Sequence, residues 1–171
     1  GIKSNAEKVK LIITAHGYKK LFAKVNGMIN NAPKLSNWDF QAFIQPNSNI
    51  EIFKQGIDKP YIFQDFELKT SELYFKPLEF NTFQKKMKIV VYLKNYNIHC
   101  DTKTWNQAIY IIIQDVLGEK SLYQNINFVQ LACLPTNTEE LIELYDLQFY
   151  IDTNNKIDIF FLNFYNILKK S

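Results

Sequence analysis

At 171 residues the chain has the length of one domain and can bury roughly two-thirds of the surface its unfolded form exposes, so it needs neither metal nor disulfide to fold. Hydrophobic residues make up 47% and aromatics 15%, with 14 Phe and 10 Tyr, which excludes a disordered segment. All 20 basic residues are lysine, so the planar guanidinium fork that favours bidentate phosphate recognition is missing, and a net charge of +3 spread among 17 acids gives no support to a nucleic-acid partner.

Lys8 to Ala15 predicts a strand rich in Val, Leu and Ile, stopped by His16-Gly17. A helix is expected at once, because Tyr18, Leu21, Phe22, Val25, Met28 and Ile29 recur at three- and four-residue spacing and Asn30-Asn31-Ala32-Pro33 ends the run. Next, Trp38, Phe40, Ala42 and Ile44 alternate with Asp39, Gln41 and Phe43, which predicts a strand with one buried face and Trp38 in the core. From Ile50 to Leu93 no helix is expected. The runs Tyr61 to Leu68, Leu73 to Leu78 and Met87 to Leu93 favour strands, most simply an antiparallel meander. Asp101 or Thr102 can cap a second helix whose Trp105, Ala108, Ile109, Ile112, Val116 and Leu117 face inward, with Gly118 at its C-terminal stop. Asn127 to Cys133 forms another strand, halted by Pro135. In the tail, Ile157, Phe160, Phe161, Phe164, Tyr165 and Leu168 make a helical apolar stripe over 155–170.

The order strand, helix, strand from Lys8 to Ile44 recurs in type from Met87 to Cys133. These elements predict an α+β fold: a mostly antiparallel sheet with helices packed on one face, ferredoxin-like or a duplicated β-α-β variant. Residues 1–152 are expected to form this single domain, and 153–171 an amphipathic helix packing on it or on a second copy.

The stretch LIITAHGYKKLFAKVNGMINNAPKLSNWDFQAF, taken as ITA-x-G, LF, AP-x-L-x-x-W and A-F, resembles the signature of an uncharacterised bacterial domain family. Asp115-Val116-Leu117-Gly118-Glu119 and Phe149-Tyr150-Ile151-Asp152 extend the resemblance to roughly Leu11 to Asp152. It implies a fold without assigned activity, so no catalytic residue carries over. Where that family has Asp or Asn before the glycine, this chain has His16.

Cys100 and Cys133 lack C-x-x-C spacing and read as reduced thiols. Apolar stretches such as Ala108 to Ile113 fall far short of the ~20 residues of a membrane helix, and IKSNAEKVK lacks a signal-peptide core. A cytoplasmic location follows as the expectation, while Gly1 is compatible with a removed upstream segment.

Several groups bear on chemistry. Thr14-Ala15-His16-Gly17 lies between a strand and a helix start, where backbone N–H groups can hold an anion, but a tight turn needs the same residue types. There is no Walker or G-x-G-x-x-G pattern. His99-Cys100-Asp101 contains metal-binding types, yet neighbours in an extended segment point opposite ways, so helix capping by Asp101 is the simpler role. Asp65 and Glu67, with Glu72 nearby, would share a strand face as a carboxylate pair or as a solvated surface. Gln41, opposite Trp38, could read a ligand if its face were covered. The lysines at 19, 20 and 24 and at 85, 86 and 88 lack the aromatic signature of an RNA-binding domain.

No convergent polar set emerges. The chain therefore reads first as a non-catalytic interaction or regulatory module of a bacterial cell, without cofactor, metal, nucleic acid or membrane. Its partner would be a protein, either a second copy or another chain, with Phe160, Phe161, Phe164 and Tyr165 as contact residues. The alternative is an enzyme or small-ligand binder drawing on His16, Asp65 and Glu67 for catalysis and on Thr14, Gly17 and Gln41 for binding.

Overall fold

In a computed structural model of the chain, residues 8–81, 86–96 and 102–154 are described. The elements run β1 (Val9–Ile13), a 3-10 turn leading into α1 (Phe22–Asn30), β2 (Trp38–Ala42), α2 (Ile50–Lys54), β3 (Tyr61–Ile62), β4 (Glu67–Leu68), β5 (Tyr74–Asn81) and β6 (Lys86–Leu93). There follow α3 (Thr102–Asn125), β7 (Ile126–Cys133), β8 (Ile142–Glu143) and a helical stretch, α4, at 147–154.

The main body is a four-stranded sheet in the order β7-β6-β5-β8 with α3 and α4 on one face. Alternation on β6 puts Met87, Ile89, Val91 and Leu93 inside, and Trp105, Ala108, Ile109, Ile112, Val116 and Leu117 of α3 meet them from above. All six inward positions expected of that helix are buried. Each fully buried Ile or Leu contributes about 1.5–3 kcal/mol, so this interface dominates the fold's stability. Leu144, Leu147 and Ile151 close one end of the core, and Phe66 stacks on Trp105 with ring centroids 3.8 Å apart.

The fold is α+β, but the sheet is mixed where a mostly antiparallel one was expected. β5 pairs antiparallel with β6 and β8, whereas β6 and β7 run parallel because the long α3 carries the chain back to the starting edge. β1 and β2 form a separate parallel pair, so the single sheet of a ferredoxin-like fold is not what the described residues make. Both strand-helix-strand stretches nonetheless pair their strands in parallel, β1 with β2 and β6 with β7.

Four local expectations are also corrected. The region from Ile50 onward contains α2, too short to display helical periodicity, which buries Phe53 and stacks it on Tyr145 with centroids 6.3 Å apart. Tyr61 to Leu68 is no continuous strand but a hairpin, closed by the Phe63 N–H on the Phe66 carbonyl at 2.9 Å. Gly118 does not end α3. It kinks the helix with φ 73° and ψ 161°, and the helix resumes to Asn125. Trp38 is exposed, because α1 covers only the far end of β2. His99, Cys100, Asp101, Lys85 and the 155–170 stripe lie outside the described residues.

Candidate functional site

The β1-α1-β2 lobe is fastened to the body at one end and open at the other. Its own small core is Ala15, Phe22, Val25 and Phe43, with Ile13 and Ala42 packed beside it. These residues cluster where the strands end, since α1 enters there and runs back along the sheet.

Three features build the fastening. The Glu119 side chain is fully buried, and a buried carboxylate is costly unless donors surround it. Its Oε1 accepts the Ala15 N–H at 2.7 Å and its Oε2 the Ile44 N–H at 3.4 Å, while its own N–H donates to the Ile44 carbonyl at 2.8 Å. One side chain therefore holds the ends of both strands. The kink at Gly118 delivers it: a Cβ there would lie 2.8 Å from Pro46 Cδ and 3.1 Å from the Ile44 oxygen, so only glycine lets the loop after β2 approach. The Asn47 N–H on the Asp115 carbonyl at 2.7 Å adds a further tie.

Phe43 completes the junction from the lobe side. Its φ of 63° is unfavourable for a bulky residue, and the surroundings impose it. Its N–H extends the strand ladder to the Ile13 carbonyl at 2.9 Å, and its ring meets Phe22 edge-on at 5.1 Å. The Gln41 and Gln45 amides both donate to its carbonyl, at 3.0 and 3.4 Å. Lys120 Nζ sits 5.1 Å from the ring centroid, within cation–π range.

The candidates from the sequence fall as follows. His16 and Gly17 form a left-handed turn, with φ of 47° and 78°; His16 is exposed, and Gly17 lies against the Tyr123 ring, where a Cβ would come within 2.5 Å. Thr14 is half-buried beside the junction, and the Gln41 amide is engaged in supporting the Phe43 turn. Asp65 and Glu67 are exposed on the β3-β4 hairpin, and no hydrogen bond among the described residues joins them to His16, Thr14 or Gln41. Cys133 is unpaired, with its Sγ 2.8 Å from the Tyr96 carbonyl. Glu119 escaped the sequence reading, since its strand-end partners are remote in sequence.

At the opposite end the lobe presents an apolar tip. Val9 and Trp38 begin the two strands and are register partners, 53% and 42% exposed, and Leu11 beside Phe40 is 42% exposed. Met28 in the last turn of α1 and Leu35 in the turn before β2 reach the same end, 50% and 47% exposed. Parallel strands are ordinarily covered on both faces. Among the described residues the cover stops short of the strand starts. Among the described residues there is no group of His, Cys, Asp or Glu that could hold a metal ion, and no helix is long and apolar enough to cross a membrane. Comparison of the chain with protein-family models, curated proteins and solved structures finds no match.

Proposed function

We propose that the chain is a non-catalytic protein-interaction module that self-associates through the tip of its β1-α1-β2 lobe. The observation that carries this reading is the exposed apolar run Val9, Leu11 and Trp38 on a parallel strand pair, a kind of pair that other structure normally covers. The proposed occupant is a second copy. The apolar centre of the tip is complementary to itself, the exposed Lys8, Lys34 and Asp39 lie around it, and a two-fold contact uses the same patch twice. With ordinary side-chain areas of about 150–250 Å², the exposed parts of Val9, Leu11, Met28, Leu35 and Trp38 sum to roughly 400 Å² per copy, about half of the ~800 Å² that a standard interface takes from each partner. That size suits a dimer of modest affinity with a polar rim.

The apolar residues Phe160, Phe161, Phe164 and Tyr165 are proposed as a second contributor to the same association, and a cytoplasmic setting is proposed with it. Neither nucleic acid nor membrane has a role in this reading. Trp38 supplies the test, because the chain has two tryptophans and the other, Trp105, is buried in the body. Dilution from the dimer should red-shift the tryptophan emission as Trp38 returns to water, and Trp38→Phe should abolish that change. Emission independent of concentration from the nanomolar to the millimolar range would contradict the proposal.

A further inference from the structure

The face of the main sheet turned away from α3 carries a second feature, separate from the lobe tip. Parity along β6 places Lys86, Lys88, Val90 and Tyr92 on that face, because Met87, Ile89, Val91 and Leu93 point to the core. The ladder is irregular on both sides of Lys88. β5 shifts register between Pro77 and Glu79, and β7 shifts between Ile126 and Phe128, so Leu78 and Asn127 are the extra residues of two bulges at one level of the sheet. Bulges re-aim side chains, and these two flank a cleft of about 660 Å³ bordered by Leu78, Lys88, Asn127, Phe128 and Gln130. Leu78 and Phe128 are 52% and 49% exposed there. The Asn127 and Gln130 side chains are exposed and make no hydrogen bond among the described residues.

Folding also gathers charge at this place. Burial, and after it the charge of Lys19, holds the Lys86 ammonium below its ordinary value, so Lys19 of the lobe lies near Lys86. Neither lysine forms an ion pair among the described residues. Glu79 is the register partner of Lys88, which leaves the unbalanced positive charge to Lys86 and Lys19. On β5, Lys76 is neutralised by Glu140 at 2.8 Å. An exposed ring, two amides and a nearby pair of ammonium groups correspond to the flat face, the polar edge and the phosphate of a nucleotide. We propose that this open face binds single-stranded nucleic acid, one base stacking on Phe128 beside Leu78, its polar edge reached by the Asn127 and Gln130 amides, and its phosphates lying toward Lys86 and Lys19. The expectation of no nucleic-acid partner rests on net charge and on lysine runs without aromatic neighbours; the fold supplies Phe128 from β7 and Lys19 from the lobe. This site is separate from the self-association surface and stands or falls independently of it.

A fluorescein-labelled oligothymidine of about 12 nucleotides, titrated with the full chain in about 50 mM salt and followed by anisotropy, tests the assignment. Saturable binding is expected, tighter than to a duplex of the same length. Phe128→Ala should weaken it about fivefold or more, the scale of one stacked base, without changing its dependence on salt. Lys19→Gln combined with Lys86→Gln should lower the slope of log K against log salt by about 1.4, the equivalent of two lost phosphate contacts on a single strand. Lys59→Gln, which removes an exposed lysine next to β3, should leave affinity and slope unchanged. Absence of saturable binding, equal affinity for the duplex, undiminished binding by Phe128→Ala, or an equal loss in Lys59→Gln would overturn the site. Should Phe128→Ala fail to fold, the salt slope of the double-lysine variant decides the matter alone.

Discussion

The Glu119 carboxylate accepts the Ala15 backbone N–H at 2.7 Å across 104 residues of sequence, and through this contact the kink of α3 holds the end of β1. The same side chain reaches the Ile44 N–H after β2, so one buried carboxylate with two backbone donors joins the ends of both strands to the body. Stability and presentation of the apolar tip are thereby linked.

Glu119→Gln should destabilise the protein by about 1–3 kcal/mol, because an amide NH2 would replace one accepting oxygen and face a backbone donor with another donor. For a chain of this size that lowers the melting temperature by several degrees, at roughly 2–4 °C per kcal/mol. Amide exchange at Ala15 and Ile44 should accelerate in the variant. An unchanged melting temperature would show that the carboxylate does not fasten the lobe.

The two helical glycines should respond in opposite directions. Gly118→Ala meets the Pro46 ring in a backbone conformation that L side chains rarely adopt, so a loss of more than about 2 kcal/mol is expected. Gly27→Ala, with nothing near its Cβ position inside α1, should be stabilising by about 0.5–1 kcal/mol. Thermal melts of the pair read this directly; losses of equal size would remove the special role of the kink.

At the first turn, His16→Asn should stay within about 0.5 kcal/mol of the original, since Asn tolerates a φ near 47°. Gly17→Val should cost well over about 1 kcal/mol, from both its φ of 78° and the Tyr123 ring. Equal tolerance of the two changes in a melt would contradict the turn geometry.

The fold was legible in the sequence where local pattern decides it. The periodicity of Trp105, Ala108, Ile109 and Ile112 needed no partner to be read, nor did the turn residues His16 and Gly17. What stayed hidden depends on contacts remote in the chain. Glu119 looks like any surface glutamate until Ala15 and Ile44 arrive from 104 and 75 residues away. Gly118 in a helical pattern reads as a stop, and only the approach of Pro46 turns it into a kink. Trp38 alternates like a core residue, yet its exposure follows from where α1 ends, which alternation within β2 cannot reveal.

Raising the pH should destabilise the fold through three partly buried phenols. Burial, reinforced by the neighbouring Asp115 carboxylate, holds the Tyr61 phenol far above its ordinary value of 10.0, and burial also raises Tyr110 and Tyr145. With the folded pKa above the unfolded one, the unfolded chain releases its proton first, so stability is complete below about pH 10 and falls as pH rises beyond it. Urea midpoints at about pH 8 and pH 11 should therefore drop more steeply in the original chain than in Tyr61→Phe, which loses one of the three phenols. Parallel profiles would show that Tyr61 titrates normally.

Sedimentation velocity over a concentration series, comparing the original chain with Leu11→Lys and with Ile62→Lys, tests self-association through the lobe tip most directly. Ile62 is 81% exposed on β3, away from the lobe, and serves as the control. The expected result is a monomer–dimer equilibrium with a dissociation constant of roughly 1–100 μM for the original chain and for Ile62→Lys, and a monomer throughout for Leu11→Lys with its circular dichroism unchanged. A monomeric original chain at every concentration, or dimerisation undiminished in Leu11→Lys, would contradict the account.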